Sequence, residues 1–520
     1  MVRSLLTVFS GTLSSRLLGF VRDAMIASLL GAGAIADAFL VAFQLVNVVR
    51  RLLAEGALNA ALIPAWMEVR DKDGATAAIA FAGRVLGTIT TALIVATALL
   101  GLLMPLVIAL IAPGFAGRPA LELAVNDARL MLPYLAFAGP VTVMMGLLNA
   151  QGRFALTAFS PLLFNVSLIA VMIVLVGWRA DPEWAAIGLA ATIGVAGLLQ
   201  LSILLLRGGS GGLASPFRPT IDAEMRGFLV KAGPGMVATA GPQLLIVAAA
   251  VIASHSPSAV SWLYFANRLI ELPLGIVGVA IGSVLIPELT RAVRGEDRTQ
   301  TTEVESRGLE LALGLSLPAT LGLIVLSEPI VRVLFQHGVF TDIDTAATAQ
   351  ALAWLSLALP AHVLVKALSP AFFARGDTVT PLFATLIALI ATVLLAMGLG
   401  WFFGASGVAA GLAAGAWSNA LVLVHRGLAS FGFSIDAAAC RRLPKIAAAS
   451  LGMGTVLWLI LHALIPLAGD QPGFAQALIL GVLIVAGGAV YAGLLMLLGG
   501  FDWRETRQAL RRPGLSDLRD

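Results

Sequence analysis

The sequence predicts an all-α polytopic membrane protein with about fourteen transmembrane helices. Of its 520 residues, 59% are hydrophobic and 12% are charged, whereas soluble globular domains contain about 25% charged residues. The mean hydropathy is +0.95. A helix needs about 20 mostly apolar residues to cross a bilayer, and the chain contains about fourteen such segments joined by short loops. The sequence therefore gives no indication of a separate soluble domain or of a basic run long enough to bind nucleic acid.

The apolar segments give approximate bounds for each helix. Arg16, Arg22 and Asp23 interrupt the first segment and no clear cleavage site follows it, which indicates a retained helix rather than a signal peptide. The polar tail at 502–520 is expected to lie on the membrane surface. The predicted helices are 4–29, 33–62, 78–111, 123–150, 158–178, 184–206, 225–253, 258–290, 303–328, 346–373, 379–403, 406–427, 443–466 and 474–499.

Lysine and arginine in the loops indicate the orientation of the chain. With the N-terminus in the cytoplasm, the loops on the far side carry only Arg118, Arg179 and Arg332. Most other basic loop residues then lie on the cytoplasmic side, as the positive-inside rule requires. Both termini are therefore predicted to be cytoplasmic, which agrees with an even number of helices.

Sequence landmarks recur at an offset of roughly 220 residues, which indicates an internal repeat. Pro140 and Pro161 bracket a helix–loop–helix segment, and Pro360 and Pro381 bracket another with the same internal spacing. Parallel repeats of this kind enclose a central cavity between two lobes. The predicted parts are an N-lobe of six helices at 1–207, a C-lobe of six helices at 225–427, a helix pair at 443–499 and the cytoplasmic tail at 502–520.

The first two predicted helices carry several charges at membrane depth. A charged side chain at the bilayer centre costs at least about 2.5–3.5 kcal/mol, so such residues usually face a polar interior. Arginine predominates, and its planar guanidinium group suits phosphate. We therefore predict a polar cavity that binds a phosphate-bearing cargo. The charged residues are Arg16, Arg22, Asp23, Asp37, Arg50, Arg51 and Glu55.

The spacing of these charges predicts which of them are paired. Adjacent helical residues do not share a face, so Arg22 is predicted not to pair with Asp23, whereas Arg16 can share a face with it. Arg22 and Arg50 are then unpaired positive charges toward the cavity. Asp37, at the outer end of the second helix, is expected to pair across the lobes or to bind a cation.

Two further pairs have helical spacing, and each has two interpretations. Arg51 and Glu55 are four positions apart, and Arg268 and Glu271 are three apart on the eighth predicted helix. Each pair can neutralise itself so that the helix inserts. Alternatively, each pair is a switch in which the glutamate holds the arginine until an anion or the opposite lobe competes.

The sequence contains no motif for catalysis or for nucleotide hydrolysis. No GxxxxGK[ST] loop, HExxH motif or paired CxxC is present, the five histidines are scattered, and Cys440 is the only cysteine. The protein is therefore expected to be no enzyme and to need no cofactor, metal or ATP. Its energy would come from the membrane potential, an ion gradient or the consumption of its product.

Several motifs resemble the bacterial lipid II flippase family, MurJ or MviN, over essentially the whole chain. They include SRLLGFVRDA, DAFLVAF, NVVRRLLAEGALNAALIP and YFANRLIELPLGIVGVAIGSVLIPEL. This resemblance implies the multidrug/oligosaccharidyl-lipid/polysaccharide exporter superfamily, with two six-helix lobes and a C-terminal helix pair that forms a groove for a lipid tail. It also implies cavity arginines at Arg16, Arg22, Arg50 and Arg268, and important acids at Asp37, Glu55 and Glu271.

The resemblance implies transport of lipid II, the undecaprenyl diphosphate-linked disaccharide-pentapeptide, across the bacterial cytoplasmic (inner) membrane for wall synthesis. The expected protein is a monomer in membrane lipid that works by alternating access. A sodium site reported in some members is not expected here, because the seventh helix carries no acid in GFLVKAGPGMVATAGPQLLI. The alternatives are a flippase for another polyprenyl-diphosphate glycan, a drug/cation antiporter on the same fold, and a non-transporting scaffold.

Overall fold

The computed structural model describes residues 2–54, 57–208, 214, 217–220, 222, 225–230, 240–295, 298–468 and 473–500. Within these ranges all regular secondary structure is helical, and no β-strand is present. The predicted all-α class is therefore confirmed. The predicted polar tail at 502–520 and Glu55 lie outside the described residues.

The first part of the chain forms seven helices, and a single residue, Leu132, lies between the fourth and the fifth. A short 3₁₀ turn, Pro113–Phe115, joins the third helix to the fourth. The helices are α1 (Val2–Leu30), α2 (Ala34–Ala54), α3 (Ala57–Ile111), α4 (Pro119–Met131), α5 (Pro133–Ala150), α6 (Phe154–Gly177) and α7 (Pro182–Gly208).

The remaining described residues contain ten helices with defined bounds, and residues 225–230 are also helical. A π-helical turn at Ile281–Leu285 separates two of them. The helices are α8 (Ala240–Ala253), α9 (Ala259–Ala280), α10 (Ile286–Arg294), α11 (Arg298–Val325), α12 (Ser327–Phe335), α13 (Asp342–Ser356), α14 (Ala358–Ala374), α15 (Val379–Phe431), α16 (Ala437–Ala468) and α17 (Gly473–Leu497).

Several helix boundaries differ from the sequence prediction. The predicted helix 33–62 covers α2 and the first residues of α3, and α3 runs through a kink at Gly74 to Ile111. Pro133, which cannot donate a backbone hydrogen bond, separates α4 from α5 inside the predicted helix 123–150. Gly404 has φ 56°, a left-handed conformation favoured by glycine, and marks the bend between the two predicted helices that α15 contains.

Nine helical spans within the described ranges are long and apolar enough to cross a membrane. One of them, Val379–Phe431, contains two predicted helices, and another, Pro119–Ala150, contains α4 and α5. Many large apolar side chains on these spans are exposed, including Trp401, Phe402 and Phe403 beside Gly404. Such a surface suits lipid. The count of fourteen transmembrane helices stays a prediction.

The chain divides into two compact units, and the first contains the charged residues of α1 and α2. It consists of Met1–Arg268, Leu334–Thr348 and Thr392–Gly411. In this unit α1 packs against α6, α3 against α5, and α4 against α2 and α7. One of its apolar clusters includes Leu58, Phe81, Leu147 and Phe228, and the rings of Phe81 and Phe228 meet edge to face at 6.0 Å.

The second unit consists of Leu269–Val333, Ala349–Ala391 and Leu412–Asp520. Its α11 packs against α14 and α16, and α16 packs against α17. Two ion pairs fasten α11 to neighbouring segments, Glu305 with Arg375 at 3.3 Å and Glu310 with Arg442 at 3.4 Å. The predicted lobes at 1–207 and 225–427 and the lipid-tail groove at 443–499 stay predictions.

Candidate functional site

Asp23 lies between two arginines in the interior of the first unit. Its side chain is fully buried, and its Oδ1 accepts hydrogen bonds from Nε and Nη2 of Arg22 at 2.9 and 2.7 Å. Its Oδ2 lies 2.6 Å from Nε of Arg268 on α9. Tyr264, one turn earlier on α9, donates its hydroxyl to Oδ1 at 3.3 Å. One carboxylate therefore holds two guanidinium groups that come from distant parts of the chain.

Arg22 is also fixed by an amide and by two aromatic rings. Its Nη1 donates to Oδ1 of Asn165 on α6 at 2.9 Å, and the Asn165 side-chain amide donates to the carbonyl of Ser15 at 3.1 Å. The Arg22 guanidinium carbon lies 5.1 Å from the ring centroid of Phe43 and 5.8 Å from that of Phe164. Charge-assisted hydrogen bonds and cation–π contacts together hold this side chain in one orientation.

A glycine on α1 makes room for the second arginine. A Cβ atom at Gly19 would lie 2.7 Å from Nη2 of Arg268 and 3.7 Å from Nδ2 of Asn165. Gly19 is one turn before Asp23, so its missing side chain opens the helix face that Arg268 approaches. The side chain of Arg268 is 22% exposed and that of Arg22 is 10% exposed. Both side chains therefore remain partly accessible to solvent.

The predicted pairing in this region was wrong for Arg22. Arg22 pairs with its neighbour Asp23 because its long side chain curls back along the helix, although adjacent Cβ atoms diverge. The described ion pairs of Asp23 are with Arg22 and Arg268, whereas Arg16 is exposed. Asp23 is thus the centre of the cluster, with Arg22 and Arg268 as its partners in place of the expected Arg16.

The other predicted site residues have different surroundings. Arg50 is partly buried on α2, and its Nε donates to Oδ1 of Asn47 one turn earlier at 3.3 Å. Arg51 is partly buried on the same helix. Glu271 is partly buried and belongs to the second unit. The binding or gating roles of these residues stay predictions.

Asp37 forms a second polar contact near the start of α2. The backbone N–H of Ser261 donates to its Oδ1 at 2.9 Å, and the Ser261 hydroxyl donates to the same oxygen. Ser261 is in the first turn of α9, so a carboxylate from α2 caps another helix, where the dipole favours negative charge. Asp37 and Ser261 lie in the same compact unit, and the two predicted roles of Asp37, pairing across the lobes or binding a cation, stay predictions.

Neighbouring contacts fasten the same end of α1 and α9. Nε1 of Trp262 donates to Oδ1 of Asp344 at 3.1 Å, and the backbone N–H of Val339 donates to the carbonyl of Ser28 at 3.0 Å. The ring centroids of Phe265 and Phe335 are 5.1 Å apart. The contact at Asp37 is thus part of a wider set of contacts that includes segment 334–348.

The sequence interpretation missed Asn165, Tyr264 and Ser261 as partners of these charges. A single amide or hydroxyl in an apolar helix carries little signal unless the charge that it faces is already known. The charged residues themselves were predictable because membrane-embedded charge is costly. Within the described ranges, no group of three or more His, Cys, Asp and Glu side chains is placed to hold a metal ion.

The cluster carries a net positive charge, since two guanidinium groups share one carboxylate. A guanidinium can form two parallel hydrogen bonds with a phosphate, and arginine is favoured where such recognition matters. If an incoming anion displaced the Asp23 carboxylate, Arg22 and Arg268 would still each have a negatively charged partner. The arrangement is therefore suited to reversible binding of an anion such as a phosphate.

The fold defines a polytopic helical membrane protein, and its first unit contains a buried cluster of two arginines and one aspartate. A solved structure titled as an inward-facing multidrug resistance MATE transporter of the MOP superfamily matches with a TM-score of 0.67 at 14% identity, covering 83% of this chain and 96% of the other. A structure titled "Lipid II flippase MurJ, inward closed conformation" matches with a TM-score of 0.79 at 21% identity, covering 98% and 100%. At these identities the likeness establishes the fold.

Sequence comparison identifies the family. The family model described as "Lipid II flippase MurJ" matches residues 26–467. A relative named "Probable lipid II flippase MurJ", from Rhizobium meliloti (strain 1021), is 37% identical over 518 residues, which is 98% of this chain and 96% of the relative. The chain belongs to the MurJ lipid II flippase family, a family of membrane transporters, and the predicted resemblance is confirmed.

Proposed function

We propose that this protein moves lipid II from the cytoplasmic to the outer leaflet of the bacterial cytoplasmic membrane for cell-wall synthesis. Membership of the MurJ family supports the cargo. The observation that carries the proposal is the buried cluster in which Arg22 and Arg268 share Asp23. Lipid II contains a diphosphate, which is the kind of anion that two guanidinium groups can bind.

In this mechanism the diphosphate competes with Asp23 for the two arginines. The polar disaccharide-pentapeptide would cross through the predicted cavity, while the polyprenyl tail stays in lipid along the predicted helix pair at 443–499. Breaking and re-forming of the contact between Asp37 and Ser261 would open and close the site to one side of the membrane. Arg50 and Arg16 would extend the positive path for the cargo.

The same proposal covers the remaining features of the protein. It would act as a monomer in the inner membrane with both termini in the cytoplasm, without catalysis, cofactor or ATP, and the membrane potential or an ion gradient would drive it. A drug/cation antiporter on the same fold would need a cavity with excess acid, whereas the Asp23 cluster has excess arginine. A scaffold alone would not require this buried charge.

Substitution of Arg22 tests the proposal in cells that depend on the variant for wall synthesis. Arg22→Ala should insert normally, because Asp23 keeps Arg268 as a partner, but should lower the outward transport of lipid II by about 10- to 100-fold, since charge-assisted hydrogen bonds contribute about 1.5–3 kcal/mol. Arg22→Lys should recover only part of the activity, because an ammonium lacks the bidentate geometry. The measurement is the sidedness of lipid II in membrane vesicles.

Arg307→Ala is the matched control. Arg307 is exposed and pairs with Glu303 one turn away, so its loss should leave transport unchanged. Full activity of Arg22→Ala would refute its role at the cargo. Unchanged lipid II sidedness on depletion of the protein, with accumulation of another polyprenyl-linked glycan, would refute the cargo itself.

A further inference from the structure

A buried carboxylate on α4 is not used in the mechanism described above. Asp127 lies in the middle of α4, within the apolar span Pro119–Ala150, and is only 3% exposed. Ala124 and Met131, one turn before and after it on the same face, are fully buried. A charge at such a position is costly, and ionisable residues in membrane spans are usually functional.

Asp127 makes no hydrogen bond or ion pair within the described part of the chain. The nearest basic residue along the helix, Arg129, is exposed and donates from Nε to the carbonyl of Gly101 on α3 at 3.2 Å. Glu122, the other acid of α4, is also exposed. The carboxyl group of Asp127 is therefore buried and has no hydrogen-bond or ion-pair partner among the described residues.

The helices that pack against α4 do not neutralise Asp127 either. They are α2, α3 and α7, with smaller contacts from α5 and the turn Pro113–Phe115. Asp37 is bonded to Ser261, Arg50 to Asn47, and Arg84 to Asp222. None of the charged residues on these helices whose side chains are described bonds to Asp127. They are Asp37, Arg50 and Arg51 on α2, Glu68, Arg70, Asp71, Lys72, Asp73 and Arg84 on α3, and Glu183 on α7.

An isolated carboxylate in apolar surroundings is accommodated by taking up a proton, because the neutral acid avoids most of the desolvation cost. A metal ion would need several oxygen ligands around it. Within the described ranges, Asp127 belongs to no group of three or more His, Cys, Asp and Glu side chains that could hold a metal ion. The chemistry of the position therefore favours a proton over a metal cation.

We propose that Asp127 is a proton-binding site that is occupied in this conformation and emptied when the transport cycle brings water to α4. A proton shifts a conformational equilibrium only as far as its affinity differs between the two states. Burial as a neutral acid stabilises the present conformation, so acidification favours it. The break before Pro133 gives α4 a point at which it can move relative to α5.

The unmodified protein provides the first test. Dicyclohexylcarbodiimide reacts with protonated carboxyl groups in apolar surroundings, and peptide mass spectrometry locates the adduct. Asp127 should be labelled, and labelling should fall by about tenfold for each pH unit above its titration midpoint. Glu122, which is exposed on the same helix, is the internal control and should stay unlabelled. An unlabelled Asp127, or labelling that does not change with pH, would overturn the proposal.

A matched pair of variants tests the link to conformation. The distance between spin labels on either side of the contact between Asp37 and Ser261 is measured in liposomes without a voltage. It should shift with pH in the unmodified protein and in Glu122→Gln. The shift should vanish in Asp127→Asn, which mimics the protonated acid and should hold the present conformation. An equal pH response in Asp127→Asn would contradict the assignment.

The inference rests on the proposed function only for the step in which the transport cycle brings water to Asp127. Neither experiment contains lipid II, so an error in the cargo would leave both results unaffected. Conversely, failure to label Asp127 would remove the proton site and leave the Arg22 experiment intact.

Discussion

Asp23 is the residue on which the two buried arginines depend for charge compensation. Its two oxygens are divided between them, Oδ1 toward Arg22 and Oδ2 toward Arg268. Removal of one partner from a buried ion pair costs about 3–5 kcal/mol, because the remaining charge stays in a poorly solvated place. Here the remaining charges would be two guanidinium groups that repel one another.

Asp23→Asn should therefore lower the stability of the folded protein more than the loss of either arginine does. We expect a decrease of about 3–5 kcal/mol in the free energy of unfolding, measured by denaturant titration in detergent. Asp71→Asn, an exposed acid on α3, should change it by less than about 0.5 kcal/mol. A variant as stable as the Asp71 control would show that Asp23 does not compensate the arginines.

At this scale the sequence predicted which residues are charged at membrane depth but not which of them meet. Arg22 and Arg268 were identified because their cost in lipid requires a polar interior. The bond from Arg22 to Asn165 spans 143 positions in the chain, and no periodicity encodes such a contact. Asp127 was not identified because one acid barely changes the apolar character of its segment.

At the scale of elements, the start of α9 depends on an acid from another helix. Its first turn receives the carboxylate of Asp37, whereas α7 is capped by its own Asp181, which accepts from the N–H of Trp184 at 3.0 Å. A cap from a distant segment holds two elements together as well as satisfying a helix end. Loss of this cap should therefore change conformation rather than only local stability.

Asp37→Asn should reduce the population of the conformation described above. Loss of charge-assisted hydrogen bonds of about 1.5–3 kcal/mol corresponds to a change of about 10- to 100-fold in the equilibrium. Pulsed electron resonance on spin labels at the exposed positions Ala34 and His255 would report the separation of α2 from α8 and α9. Asp181→Asn, which removes a cap within α7, is the control and should leave the distances unchanged. Identical distances in both variants would show that the Asp37 contact does not hold α2 against α9.

Helix positions were largely predictable, and helix boundaries less so. Every predicted segment overlaps a described helix because bilayer thickness fixes the length of the apolar run. Pro133 was not recognised as the boundary between α4 and α5, because the apolar run continues on both sides of it. The boundary between the predicted helices 379–403 and 406–427 coincides with the kink at Gly404, where a single glycine bends the chain without any polar loop.

At the scale of the whole molecule, the fold is shared with transporters of different cargo, so the fold alone does not define function. The MATE structure matches over 83% of this chain, although its title describes multidrug resistance. The charge of the interior distinguishes a flippase with an anionic cargo from a drug/cation antiporter. The net positive cluster at Asp23 favours an anionic cargo, and its charge also determines how an electric field acts on the transport cycle.

The membrane potential should drive the cycle in both directions. Movement of a diphosphate outward is assisted by an inside-negative potential by about 2.3 kcal/mol per charge per 100 mV. On the return, the emptied site carries the excess positive charge of its arginines inward, and the same field assists that movement. The sequence has no nucleotide-binding loop that would supply another source of energy.

We therefore expect outward transport of lipid II to stop in intact cells when the potential is collapsed, even with ATP maintained. Dissipation of the pH gradient alone, with the voltage kept, should have a smaller effect, because a proton at Asp127 biases the conformations but does not carry the diphosphate. The measurement is the sidedness of lipid II after selective dissipation of either gradient. Transport that continues unchanged at zero voltage would exclude the voltage mechanism, and cation antiport or consumption of the product would then have to supply the energy.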